Sequence, residues 1–187
     1  MILKNLPNAL TLVRLVLIAP FLFYLHLKNY ENAFYIFVLA GFTDGLDGWL
    51  ARHFHWQSAF GLFVDPIADK LFIALSFISL ALMGQLPWWL VGLVFFRDIS
   101  IIIGVLTWYR VAHLRVQFKP TRLSQINAVL QGFLVTLCLF QLAFFPVYPL
   151  LKGLLIGVTT LTTTASHIDY GWVWSKKVLA SCRSTPQ

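Results

Sequence analysis

The sequence predicts an all-α, polytopic membrane protein with six transmembrane helices and both termini in the cytoplasm. Three observations predict it. The chain has 187 residues, of which 59% are hydrophobic and 11% charged, where a soluble domain is about half apolar and a quarter charged; mean hydropathy is +0.77. Apolar runs that approach spanning length, roughly 20 residues, recur along the whole chain. Lysine and arginine gather in alternate connections, as positive loops held on the cytoplasmic side require.

The elements follow in order. "NALTLVRLVLIAPFLFYLHL" (8–27) opens the chain, with few charges before it and no small-residue cleavage site after it, so it is a retained helix and not a signal peptide. "AFYIFVLAGFTDGLDGWLA" (33–51) is the second span, and a segment within 58–84 is the third. "PWWLVGLVFFRDISIIIGVLTWY" (87–109), "INAVLQGFLVTLCLFQLAFF" (126–145) and "YPLLKGLLIGVTTLTTTA" (148–165) complete the set. Short polar or Pro-containing separators make a tight up-and-down bundle. Residues 1–187 read as a single transmembrane domain, without internal repeat or low-complexity tract. Tryptophans such as Trp88, Trp89, Trp172 and Trp174 sit near span ends, where interfacial belts form.

With the N-terminus inside, the cytoplasmic ends collect Lys4, Arg52, Arg110, Arg115, Lys119, Arg122, Lys176, Lys177 and Arg183, and the opposite ends carry Lys28 and Lys152. The formal charge of +7 is then explained by topology and by affinity for anionic membrane lipids, and nucleic-acid binding is the poorer explanation. Cys138 in a helix and Cys182 in the tail suggest neither a disulfide framework nor a soft-metal site; Cys138 reads as core.

Of seven acidic residues, four, Asp44, Asp47, Asp65 and Asp69, fall within "TDGLDGWLARHFHWQSAFGLFVDPIADK" (43–70). Asp44 and Asp47 lie about 12 and 8 Å along the helix from Arg52 at its cytoplasmic end, so they sit inside the membrane but off its centre. The i, i+3 and i, i+4 spacings put each pair on one helix face. Four ionised carboxylates together need compensating cations. An oxygen-only donor set selects a hard divalent ion such as Mg²⁺, with Mn²⁺ or Ca²⁺ compatible, and four carboxylates have the capacity for two ions that clamp a phosphoryl centre. Gly45, Gly48 and Gly61 allow a bulky ligand close to the backbone, and Arg52 supplies a phosphate fork.

The spacing D-x2-D-G-x2-A-R-x8-G-x3-D-x3-D, met by Asp44, Asp47, Gly48, Ala51, Arg52, Gly61, Asp65 and Asp69, resembles the signature of the CDP-alcohol phosphatidyltransferases. Asn8, Thr11 and Arg14, in the pattern N-x2-T-x2-R, resemble the N-terminal segment of its glycerophospholipid members. The resemblance implies six transmembrane helices, a homodimer, and CDP-diacylglycerol bound at a site of two divalent cations (Mg²⁺ or Mn²⁺) that opens toward the cytoplasm. It implies Asp44, Asp47, Asp65 and Asp69 as metal ligands and Asp69 as general base. Asn8, Thr11, Arg14, Asp47, Gly48, Ala51, Arg52 and Gly61 are the implied CDP-diacylglycerol contacts. The implied reaction is attack of an acceptor hydroxyl on the β-phosphorus of the liponucleotide, with release of CMP.

"KPTRLSQINAVLQ" (119–131) and the Arg97-Asp98 pair in "FFRDI" resemble the cardiolipin synthase branch of that family, although Gln125 and Ala128 depart from its pattern. The phosphatidylglycerophosphate synthase branch has two lysines where this chain has Gln125 and Asn127. A dianionic acceptor such as glycerol 3-phosphate wants fixed cations, so phosphatidylglycerol is the favoured acceptor, with cardiolipin as product, and glycerol 3-phosphate the alternative. Arg97, Arg115, Lys119 and Asn127 are the acceptor-site candidates. A different class of protein, a cation transporter or an inactive scaffold, would use the same carboxylates. The transporter reading expects acidic residues spread across the membrane and an inverted repeat, and neither is seen. The expected location is a bacterial inner membrane, since the chain opens at Met1 without an Arg/Ser-rich presequence; a mitochondrial inner membrane is the alternative.

Overall fold

The computed structural model describes the backbone of residues 6–54, 59–112 and 122–183, and the side chains of residues 12–43, 45, 69–104 and 122–171. Six helices and no strand occur among the described residues: α1 (Leu6–His26), α2 (Tyr30–Phe54), α3 (Ala59–Leu82), α4 (Trp88–Ala112), α5 (Arg122–Ala143) and α6 (Pro149–Arg183). Each coincides with one expected apolar run. The large difference is α6, 35 residues long, against an expectation that stopped at Ala165. Hydropathy marks where the oil ends, while the helix continues through polar residues that contain no proline before Arg183. Among the described residues only α5 is a helix long and apolar enough by composition to cross a membrane, and Leu12–His26 is a shorter apolar helix.

Two compact units are present, Met1–Leu86 with Gly132–Lys152, and Pro87–Gln131 with Gly153–Gln187. In the first, α1 packs along both α2 and α3. Its buried stripe is Arg14, Ile18, Phe21 and Leu25, the i, i+4, i+7, i+11 spacing of one helix face. Ala33, Phe37 and Ala40 do the same on α2, where the small alanines allow close approach of the neighbouring helix. One phenylalanine from each helix meets at the junction. Phe37 and Phe72 stack with centroids 5.3 Å apart, and Phe21 lies 5.1 Å from Phe72 and 5.9 Å from Phe37. Such ring pairs contribute about 0.5–1.5 kcal/mol each beyond area burial. Phe34 of α2 also sits edge-on to Phe140 and Phe144, at 6.0 and 5.4 Å, at the end of α5. Cys138 is buried with Leu134, Val135 and Leu139, as plain core.

The turns are locally encoded. At the end of α1, the Lys28 N–H donates to the Leu25 carbonyl and the Asn29 N–H to the Tyr24 carbonyl, a Schellman closure. Lys28 occupies its left-handed position, φ +58°, where glycine is usual. Asn29 then caps α2, its Oδ1 accepting from the Asn32 N–H at 3.3 Å. The end of α3 repeats the closure with Gly84 at φ +70°, Gly84 bonding back to Ala81 and Gln85 to Leu80. Pro87 follows and stops the chain from continuing the old helix.

The two closures make opposite substitutions informative. Gly84→Ala is expected to destabilise the protein by about 1 kcal/mol, and Lys28→Gly to stabilise it by up to about 1 kcal/mol, because only the left-handed backbone distinguishes them. Thermal unfolding in detergent checks both signs.

Candidate active site

Asp44 and Asp47 lie within the unbroken helix α2, and Asp65 and Asp69 within α3, so the expected i, i+3 and i, i+4 placements hold at the level of the backbone. Both helices pack on α1, which also carries Asn8, Thr11 and Arg14. Topology thus joins the three segments that hold the carboxylates and the expected liponucleotide contacts. The side chains of Asn8, Thr11, Asp44, Asp47, Gly48, Ala51, Arg52, Gly61 and Asp65 fall outside the described residues, as do Arg115 and Lys119 entirely.

Asp69 and Arg14 are described, and they meet. The Arg14 guanidinium donates through Nη1 to Asp69 Oδ1 across 55 residues of sequence. Arg14 is 2% exposed, on the same face of α1 as Phe21, two turns away. A guanidinium there is tolerable only when paired, since a lone buried charge is penalised by several kcal/mol. Asp69 is more open, its side chain 38% exposed. Gly45, between the two α2 aspartates, is exposed, and a Cβ added there would meet nothing within 4 Å. Gly45 itself therefore has room for a small side chain.

These features suit a divalent cation. The donor set is made of carboxylates alone, and the one carboxylate whose side chain is described has already drawn a cationic partner. Among the described residues no group of three or more metal-binding side chains occurs; Asp44, Asp47 and Asp65 lie outside that set.

The expected acceptor residues Arg97 and Asn127 belong to the second unit. Arg97 is buried on α4. Its Nη1 donates to Asp98 Oδ1 at 2.7 Å, and its Nη2 donates to Ser124 Oγ of α5 at 2.5 Å and to Ser166 Oγ of α6 at 2.8 Å. The guanidinium thereby ties three helices together. Asn127, fully buried one turn along α5 from Ser124, faces Thr162 Oγ1 at 3.0 Å and Thr163 Oγ1 at 2.9 Å on α6. Ser124 belongs to the segment 119–131 quoted from the sequence, but Thr162, Thr163 and Ser166 were not among the residues singled out there. The signal was present as polar residues at helical spacing, S-x2-N-x3-Q on α5 and T-x2-T-T-x2-S on α6, but hydroxyls in an apolar helix do not stand out as aspartates do.

Comparison with known proteins bears on both halves. Residues 4–165 match the family model for CDP-alcohol phosphatidyltransferase. The chain is 34% identical to a probable cardiolipin synthase (CMP-forming) of Drosophila melanogaster, over 88% of this chain and 56% of that protein. It is 32% identical to the cardiolipin synthase (CMP-forming) of Rattus norvegicus, over 89% of this chain and 60% of that protein. To a probable phosphatidylglycerophosphate synthase of Mycobacterium tuberculosis it is 43% identical, over 52% of this chain and 49% of that protein. It thus spans between 49% and 60% of the length of these relatives. With the aspartate spacing intact on two helices packed against α1 and the family model matched over most of its length, the chain belongs to the CDP-alcohol phosphatidyltransferase family.

Proposed function

We propose that this protein transfers the phosphatidyl group of CDP-diacylglycerol to the free glycerol hydroxyl of phosphatidylglycerol, releasing CMP and forming cardiolipin. The observation that carries the proposal is the complete carboxylate set on α2 and α3, both packed on the helix whose Arg14 holds Asp69. Asp44, Asp47, Asp65 and Asp69 would hold two divalent cations, Mg²⁺ or Mn²⁺, which when bound neutralise the pyrophosphate and the departing CMP.

The chain's own residues do the rest. Asp69 accepts the proton of the acceptor hydroxyl. That oxygen forms a bond to the β-phosphorus as the bond from this phosphorus to the bridging oxygen breaks, and the electron pair leaves with CMP. Arg14 fixes the Asp69 carboxylate and brings positive charge to the site. Asn8, Thr11, Gly48, Ala51, Arg52 and Gly61 are assigned to the liponucleotide, and Arg97, Arg115, Lys119 and Asn127 to the acceptor.

Two observations favour phosphatidylglycerol over glycerol 3-phosphate. The charge of Arg97 is already offset by Asp98, which suits a monoanionic diester better than a dianion. The similarity to cardiolipin synthases runs through nearly the whole chain, while that to the phosphatidylglycerophosphate synthase covers about half of it. We assign the protein to a bacterial inner membrane as a single six-span domain and a homodimer, its active site toward the cytoplasm. Large exposed apolar side chains on every helix, among them Val16, Phe42, Leu82, Phe96, Val129 and Leu161, support burial in lipid, and the bias of lysine and arginine supports the orientation.

Purified protein given CDP-diacylglycerol, Mg²⁺ and phosphatidylglycerol is expected to release CMP, with Asp69→Asn slower by on the order of 10²- to 10⁴-fold. CMP release with glycerol 3-phosphate alone would reassign the acceptor, and silence with both would leave the scaffold. Gly45→Ala is expected to raise thermal stability by about 0.5–1 kcal/mol, as alanine does inside a helix. The same change is expected to increase the KM for CDP-diacylglycerol about fivefold or more, ~1 kcal/mol of lost approach. Gain of stability without loss of substrate affinity would mean that no ligand lies against Gly45.

A further inference from the structure

The second unit contains a seam of buried polar groups that no helix-packing role uses up. Ser124 and Ser166 are bridged by Arg97, and Asn127 bonds to Thr163. These two pairings fix the antiparallel register of α5 and α6. Carried one turn further, that register brings Gln131 level with Thr159. From Ser124 to Gln131 the seam runs two turns, about 10 Å.

A polar seam that only glued two membrane helices would pair its own atoms, because an unpartnered polar group in an apolar bundle is penalised. This one does not. Arg97 Nε, Asn127 Nδ2, Gln131 Nε2 and Thr159 Oγ1 are buried and have no hydrogen-bond partner among the described residues. Their residues are 6%, 0%, 5% and 0% exposed. The bonding around Asn127 sharpens the point. Thr163 Oγ1 lies 2.7 Å from the Thr159 carbonyl as well as 2.9 Å from Asn127 Oδ1, and one hydroxyl hydrogen cannot fully serve both. The amide can be turned so that its NH₂ donates to the threonines instead, but then its oxygen is the buried atom without a partner. In either orientation the side chain has one end to offer.

The groups on offer change in kind along the seam. At the Ser124 and Ser166 level stands a guanidinium, the natural partner of a phosphate oxygen, with its charge offset by Asp98 at 2.7 Å. At the two deeper levels stand amides and a hydroxyl, uncharged groups that both donate and accept. Their complement is a ligand group that also does both, namely an alcohol hydroxyl. We infer that the α5–α6 seam binds a glycerol phosphate group, with the phosphate at Arg97 and the glycerol hydroxyls at Asn127, Gln131 and Thr159. Gln131 and Thr159 are then the residues that select a polyol headgroup over an amine-bearing one. The inference rests on the phosphatidyl-transfer reading for the natural source of that group, phosphatidylglycerol. A free phosphomonoester, glycerol 3-phosphate, presents the same chemistry.

The test uses the full chain in detergent micelles and reads thermal unfolding as a function of added phosphatidylglycerol, phosphatidylethanolamine or glycerol 3-phosphate, with CMP release measured in parallel. Phosphatidylglycerol is expected to raise the Tm of the wild type and phosphatidylethanolamine to leave it in place. Gln131→Leu is expected to weaken phosphatidylglycerol binding about tenfold or more, while its Tm without ligand is not lowered, since leucine removes a buried unpartnered amide. Thr159→Val, close to isosteric, is expected to behave in the same way, and neither change should alter the KM for CDP-diacylglycerol. A shift with glycerol 3-phosphate alone would support the seam and assign it to the free ester. Equal shifts with both lipids, no shift with any ligand, or a Gln131→Leu protein that loses stability but keeps its phosphatidylglycerol affinity would overturn the inference. Absence of CMP release beside an intact phosphatidylglycerol-specific shift would sink the transferase reading and leave the seam standing.

Discussion

A charge inside an apolar helical bundle has to be paired, and the contact between Arg14 and Asp69 is where that constraint shapes the protein. Arg14 occupies a core position on α1, in line with Ile18, Phe21 and Leu25, and would be intolerable there without a carboxylate on the facing helix. The pair therefore sets the register of α1 against α3. The trio of Phe21, Phe37 and Phe72 then locks α2 into the same junction. Packing and chemistry use one device: the ion pair that makes the register unique also presents the carboxylate assigned as the base.

The second unit meets the same constraint differently. Arg97 is buried too, though less completely than Arg14, and its partners are a neighbouring carboxylate and two serines on separate helices. A guanidinium has five donors, and here it serves as the node of α4, α5 and α6. Beyond it the polar character continues in uncharged groups. The two units thus differ in electrostatic character: α2 and α3 of the first carry the four aspartates, and the second holds a nearly neutral buried polar seam.

Much of this was legible in the sequence. Helix count follows from run length, because a long apolar run can satisfy all its backbone groups within itself only as a helix, and all six runs are helices. The aspartate positions follow from spacing, since i, i+3 and i, i+4 have one meaning on a helix. What was not legible depends on partners far apart in the chain. Arg14 stood out as a resemblance-based ligand contact, but its pairing with Asp69 requires knowing which helices are neighbours. Gln131 and Thr159 carry no charge and sit in apolar runs, so only the register of α5 against α6 brings them level. The continuation of α6 beyond Ala165 was missed because hydropathy reports the solvent and not the backbone. Gly84 announces a left-handed turn by its identity, whereas Lys28 adopts one against its preference, held by the bonds of the closure.

The central claim is that the four carboxylates on α2 and α3 act together as a two-cation site for a liponucleotide. Mn²⁺ binding to the purified protein in the presence of CDP-diacylglycerol, followed by electron paramagnetic resonance, tests it most directly. Two Mn²⁺ per chain, coupled to one another and reduced in number by Asp44→Asn, is the result expected from carboxylates sharing one site. No bound Mn²⁺, or binding that is indifferent to Asp44, would contradict it.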